Sequence, residues 1–241
     1  MNTKILLPVL LIGFSSSVFA AKSVPSPDAL SSAMEVLNLP GENRRMAIDG
    51  NPKFYDSFIS LAFSEKQPMN LRWKALMGAA ESKKLEATAD LLKAGSHDQW
   101  YMRNAALVAL SEVNPIQAEK LAQKLIKDKA LVVRSAAVEV LGKNMTAETR
   151  DLLWEELNKD YNFKNKQSLW VRHQIVEQLS KKPMDHELKS FAGLLTDNDD
   201  RVQLPAVRGL QKLTGVKLGE NKLKQNELVS LWKDYVKKEK L

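Results

Sequence analysis

Three histidines, His97, His173 and His186, are the only imidazoles in this chain of 241 residues, and no two stand four apart. Adjacent turns of one helix therefore cannot present a histidine pair to a metal ion. There is no cysteine, which removes a thiol nucleophile, a thiolate metal site and any disulfide. Asp185-His186-Glu187 is the single acid-histidine cluster. At a helix start, Asp185 would cap and Glu187 would face the positive end of the dipole. No Gly-rich phosphate loop and no Gly-x-Ser-x-Gly elbow occurs, so neither a cofactor, a metal nor a catalytic residue is expected.

A second set of residues recurs instead. Arg72, Arg103 and Arg134 follow one another at 31 residues, Arg172 comes after 38, and Gln203 takes the same place after another 31. Each is followed at fixed distances by small or aliphatic residues: Ala75 and Ala79, Ala106 and Leu110, Ala137 and Leu141, Ile175 and Leu179, Ala206 and Leu210. In Asp128 to Lys143, residues Val133, Ala136, Ala137, Val140 and Leu141 fall on one helical face and Ser135, Glu139 and Lys143 on another. A fixed period with one insertion marks a repeat array, with Leu110 and Leu141 buried between helices.

Residues 128 to 141 resemble the second helix of the bacterial HEAT-like repeats of the PBS-lyase type, which reads roughly D-x-x-x-x-V-R-x-A-A-x-x-A-L. The resemblance implies an all-α, right-handed α-solenoid of about five helical hairpins over residues 65–213. Residues 28–64 and 214–241 would be capping segments of the same domain, and the arginines hydrogen-bond donors between repeats. The chain departs from the pattern at Gln203, and an aspartate stands six before the frame position only at Asp128 and Asp197, so any polar ladder between repeats is expected to be incomplete. Enzymes on this fold include di-iron hydroxylases, bilin lyases and alkyl-base DNA glycosylases. The first need several His-Glu pairs where this chain has one, the lyase inference rests on repeat similarity alone, and the last is opposed by the leader described next.

Residues 1–20 join Lys4, an apolar run from Ile5 to Phe14, and Val18-Phe19-Ala20, the marks of a signal peptide cut after Ala20. The run is too short to span about 30 Å of hydrocarbon. The expected product is secreted to the periplasm, with no transmembrane segment and no nucleic acid as partner. Freedom from cysteine suits an oxidising compartment. Residues 21–27 read as a flexible leader, with Ser26 capping and Pro27 opening a helix to about Leu39, stopped by Pro40 and Gly41. Phe54, Phe58 and Phe63 are expected to close the N-terminal end of the array. Beyond Pro68 outer and inner helices alternate, the inner ones starting near Asn70, Asp98, Lys129, Ser168 and Asp200. No strand is expected. The insertion, Lys159 to Gln167, is a polar loop in which Tyr161 and Phe163 either carry a contact or fold back onto the adjoining helix ends.

The inner helices of such an array line a concave surface. The positions one, five and nine after each frame residue stack into ridges. They are Trp73, Met77, Glu81; Asn104, Val108, Glu112; Ser135, Glu139, Lys143; His173, Glu177, Lys181; Leu204, Arg208, Lys212. An apolar patch at Trp73 and Met77 gives way to acids and then to bases. The expected function is non-catalytic holding of a protein or peptide in this groove, anchored on Trp73. The alternative is binding of anionic envelope material, cell-wall polymer or lipid head groups, through the basic C-terminal third.

Overall fold

The computed structural model describes residues 24–143, 145–219 and 223–241; the expected signal peptide and the start of the leader lie outside them. Helix α1 (Pro27–Asn38) begins as the sequence predicts, with Ser26 Oγ accepting the Ala29 N–H at 3.2 Å and Pro27 in the first turn. Pro40 ends it, but Gly41 opens a further helix, α2 (Gly41–Ile48). There follow α3 (Tyr55–Phe63), α4 (Met69–Lys83), α5 (Thr88–Gly95), α6 (Trp100–Val113), α7 (Pro115–Leu125), α8 (Leu131–Lys143), α9 (Ala147–Leu157), α10 (Trp170–Lys181), α11 (Leu188–Leu194), α12 (Asp200–Thr214) and α13 (Gln225–Glu239).

Every frame residue falls on an even-numbered helix from α4 to α12, and each of these helices packs on the next, whereas α5 and α7 barely meet. The row whose members touch is the short side of a curved stack. The fold is therefore an all-α solenoid whose concave face is made by α4, α6, α8, α10 and α12. The small and aliphatic residues that mark the period are at most 1 % exposed. They let helices approach closely: a Cβ on Gly78 would lie 3.1 Å from both Leu37 and Phe58, and one on Gly209 2.7 Å from the Phe191 ring.

The array is closed at both ends. Phe58 is fully buried and stacks on Phe54 with ring centroids 5.8 Å apart, but it is α1, through Leu37 and Ala33, that supplies the outermost cover. α3, expected among the capping elements, packs along α4 as its outer helix. At the other end Val229 and Trp232 of α13 are buried against α12, with Tyr235 edge-on to Trp232 at 5.3 Å.

The insertion corrects the expectation of no strand. Phe163–Lys164 pairs antiparallel with Gln167–Ser168, and Asn165 and Lys166 take φ of +52° and +63°, as the two central residues of a tight hairpin turn must. Two residues a side give too short an alternation to be seen in the sequence.

The ladder runs through all four arginines, two of them without the expected aspartate, and stops at Gln203. All four arginines are at most 7 % exposed. Arg103 donates from Nε and Nη2 to Asp128 at 2.6 and 2.8 Å and from Nη1 to the carbonyls of His97 and Asp98. Arg172 meets Asp197 end-on, from Nη1 and Nη2 at 3.1 and 2.6 Å, while its Nε donates to the Leu157 carbonyl at 3.1 Å. Where the repeat lacks that aspartate, other groups take its place. Arg72 reaches His97 Nε2 at 3.2 Å and Tyr101 Oη at 2.6 Å, and Arg134 reaches Asn162 Oδ1 at 3.1 Å and the Tyr161 carbonyl at 2.8 Å. Gln203 keeps only the backward bond, from Nε2 to the Asp197 carbonyl at 2.7 Å. Burial alone would raise the Asp128 carboxyl, but hydrogen bonds from Arg103 and the Ala130 N–H outweigh it and hold the group below the usual carboxylate range.

Candidate functional site

Four-residue spacing turns the ridge residues towards the concave side, and the structure links them from repeat to repeat. Lys143 meets Glu112 at 3.1 Å, Arg208 pairs with Glu177, and Lys212 donates to the carbonyls of Ser180 and Lys181, both at 2.9 Å. Each link joins residues 31 or 32 apart. The expected run of acids followed by bases is therefore cross-paired at Glu112 and Glu177 and not a continuous free field. Higher on the face, Asn104 Nδ2 donates to the Val132 carbonyl at 3.4 Å, and His173 Nδ1 gives its proton to the Arg201 carbonyl at 2.8 Å.

Two clefts interrupt the face. Trp73, Met77 and Glu81 line one of about 210 Å³ with Leu37 of α1 and Arg44 of α2. Trp73 and Met77 are half-buried there and packed against the core, because α1 and α2 fold over the N-terminal end of the groove. Val108, further along, is half-buried as well. The larger cleft, about 630 Å³, lies between α8 and α10 and gathers Glu139, Lys143, His173, Glu177 and Lys181 around Trp170.

Trp170 is the residue that the ridge spacing misses. It is 50 % exposed, and its Nε1–H donates to Ser135 Oγ at 3.2 Å. The ring stands in the first turn of its helix, two residues before the frame arginine. Met69, Trp100 and Val132, 50, 41 and 44 % exposed, occupy the corresponding first turns. Large apolar residues recurring just ahead of each arginine are the sequence signal that marks this rim.

The insertion lays both rings against the ladder arginines, Phe163 half-buried and Tyr161 still 38 % exposed. Arg134 lies 5.4 Å from the centre of the Tyr161 ring, whose hydroxyl bonds Glu156, and Arg172 lies 4.6 Å from that of Phe163. A cavity of about 730 Å³ opens between this hairpin and the loop before α12. Two ion pairs are already made in its walls, Arg172 with Asp197 and Arg201 with Asp199, while Lys166 and Asp200 complete the charged lining, and no large exposed aromatic stands in it as Trp170 does in the central cleft.

The acid-histidine cluster is structural. Glu187, 2 % exposed, binds Arg150 at 2.8 Å and the Trp154 indole N–H at 2.6 Å and accepts the Met184 N–H at 2.7 Å. Met184, not Asp185, is the capping residue. Among the described residues no three His, Asp or Glu side chains gather as a metal site, and no helix is long and apolar enough to cross a membrane. On α13, Lys233 and Lys237 are exposed one turn apart along one edge.

Residues 96–170 match the model of a family described as HEAT repeats. No curated protein matches the chain. Among solved structures, the X-ray structure of YibA from Escherichia coli is similar over 88 % of this chain and 82 % of its own, with a TM-score of 0.54 and 18 % identity, a likeness of fold alone.

Proposed function

We propose that this all-α solenoid, whose residues 96–170 match the HEAT-repeat model, is an exported, non-catalytic scaffold that holds a protein or peptide partner in its concave groove. The carrying observation is the half-exposed Trp170 in a 630 Å³ cleft whose rim offers both signs of charge. Exposed aromatics of this size are common anchors at interfaces, and their loss costs about 2 kcal/mol or more of binding. Trp73, half-covered by the N-terminal helices, is a secondary contact. Export is supported by the composition of residues 1–20 and the lack of cysteine.

The test is site-specific photo-crosslinking in the periplasm. A crosslinker at His173 should capture a discrete partner and one at Glu155, exposed on α9, should not; Trp170→Ala should abolish the capture without lowering Tm. Equal capture from both positions removes the groove reading, and a mature form that keeps Met1 in the cytoplasm removes the export.

The lysine edge of α13 supports the second reading, an anionic envelope surface. Binding of that kind weakens steeply as salt rises, whereas an aromatic anchor does not.

A further inference from the structure

The central cleft specifies what a bound segment must carry, an inference that rests on the groove reading above. Ser135 of α8 accepts the Trp170 N–H and donates to Gln174 Oε1 at 2.7 Å, which fixes the indole across the seam between α8 and α10. His173 tilts against the ring with centroids 6.2 Å apart. These contacts make a rigid apolar platform at the level of Ser135. One turn further along α8 stands Glu139, exposed and without a hydrogen-bond or ion-pair partner among the described residues. Another turn on stands Lys143, with Lys181 at the matching end of α10. Lys181 gives one of its three N–H donors to Gln178 at 2.7 Å, and the Lys143–Glu112 pair is solvent-exposed and readily exchanged.

The cleft thus runs apolar, negative, positive along a single axis. The levels are four residues apart, about 6 Å at 1.5 Å per helical residue. Alternate residues of an extended chain are spaced by about 6.6 Å and face the same way. The two rulers agree over three levels. A uniform polyanion fits poorly, because Glu139 and Glu177 stand in its path. We infer that the central cleft binds an extended peptide segment carrying a large apolar side chain, a base and an acid at alternate positions, set on Trp170, on Glu139, and on Lys143 with Lys181.

Fluorescence anisotropy with the mature protein and three labelled synthetic peptides tests this. The first carries leucine, lysine and glutamate at alternate positions between threonines. The second exchanges the lysine and the glutamate, and the third places the same three residues in succession. The first should bind about tenfold tighter than the others, a difference of about 1.4 kcal/mol. The double variant Glu139→Lys with Lys181→Glu should shift the preference to the second peptide. If all three bind alike and Trp170→Ala abolishes all binding, the alternating pattern is overturned while the groove reading stands. If none binds, both fail.

Discussion

His97 stands where two other repeats carry an aspartate, and the substitution has a pH signature. Its two ring nitrogens face the Arg72 guanidinium at 3.2 Å and the Gln99 N–H at 3.0 Å; the neutral ring accepts at one of them, and the single further proton it can take up would end that acceptance. Burial first, and then the charge of Arg72, lowers its pKa from the ordinary 6.5. A base with a depressed folded pKa binds fewer protons folded than unfolded, so its contribution to stability is full above 6.5 and is lost as pH falls through the folded value. Asp128, a carboxyl held low by Arg103, acts in the same direction in a separate window below 3.8. Urea unfolding stepped from about pH 7.5 to about pH 5 should show stability falling, and His97→Gln should flatten that slope. An unchanged slope in the variant would remove His97 as the titrating group.

At the scale of elements, the glycines separate close packing from open surface. Gly209→Ala on α12 drives a methyl to within 2.7 Å of the Phe191 ring and should cost about 1 to 3 kcal/mol, the usual penalty for overpacking. Gly193→Ala on α11 meets nothing within 4 Å and should be neutral or stabilising by up to about 1 kcal/mol, since alanine is the better helix former. Chemical denaturation of the two side by side checks this; equal losses would mean that α11 and α12 do not pack as described. Such contacts explain what the sequence discloses. The inner helices are legible because close approach demands small residues at a fixed period. The ladder is only half legible, because the bond to each arginine is a role that His97 fills from the aspartate's position and Asn162 from an insertion. Trp170 escapes because ridge spacing finds the middle of a helix face, whereas exposure here peaks in the first turn, before a neighbouring helix can cover it.

For the whole molecule, stability in a repeat array is carried by contacts between neighbours, so the terminal faces matter as much as the middle. Trp232 is fully buried at the C-terminal end and is the largest side chain covering α12. Trp232→Ala should cost about 3 to 5 kcal/mol and, by baring that face, move part of the protein to larger species in size-exclusion chromatography. A monodisperse variant of unchanged Tm would show that α13 is an ornament rather than a lid. Beside that lid, Gln203 has a further consequence. It bonds back to Asp197 but, unlike the four arginines, sends no guanidinium on to a following repeat. A duplicated repeat inserted ahead of it finds a waiting donor on one side and supplies one on the other, and the groove lengthens by one helix pair. A copy appended behind it finds no donor to receive. The run of guanidiniums therefore stops at α12, and apolar cover from Val229 and Trp232 of α13 takes over where the polar links end.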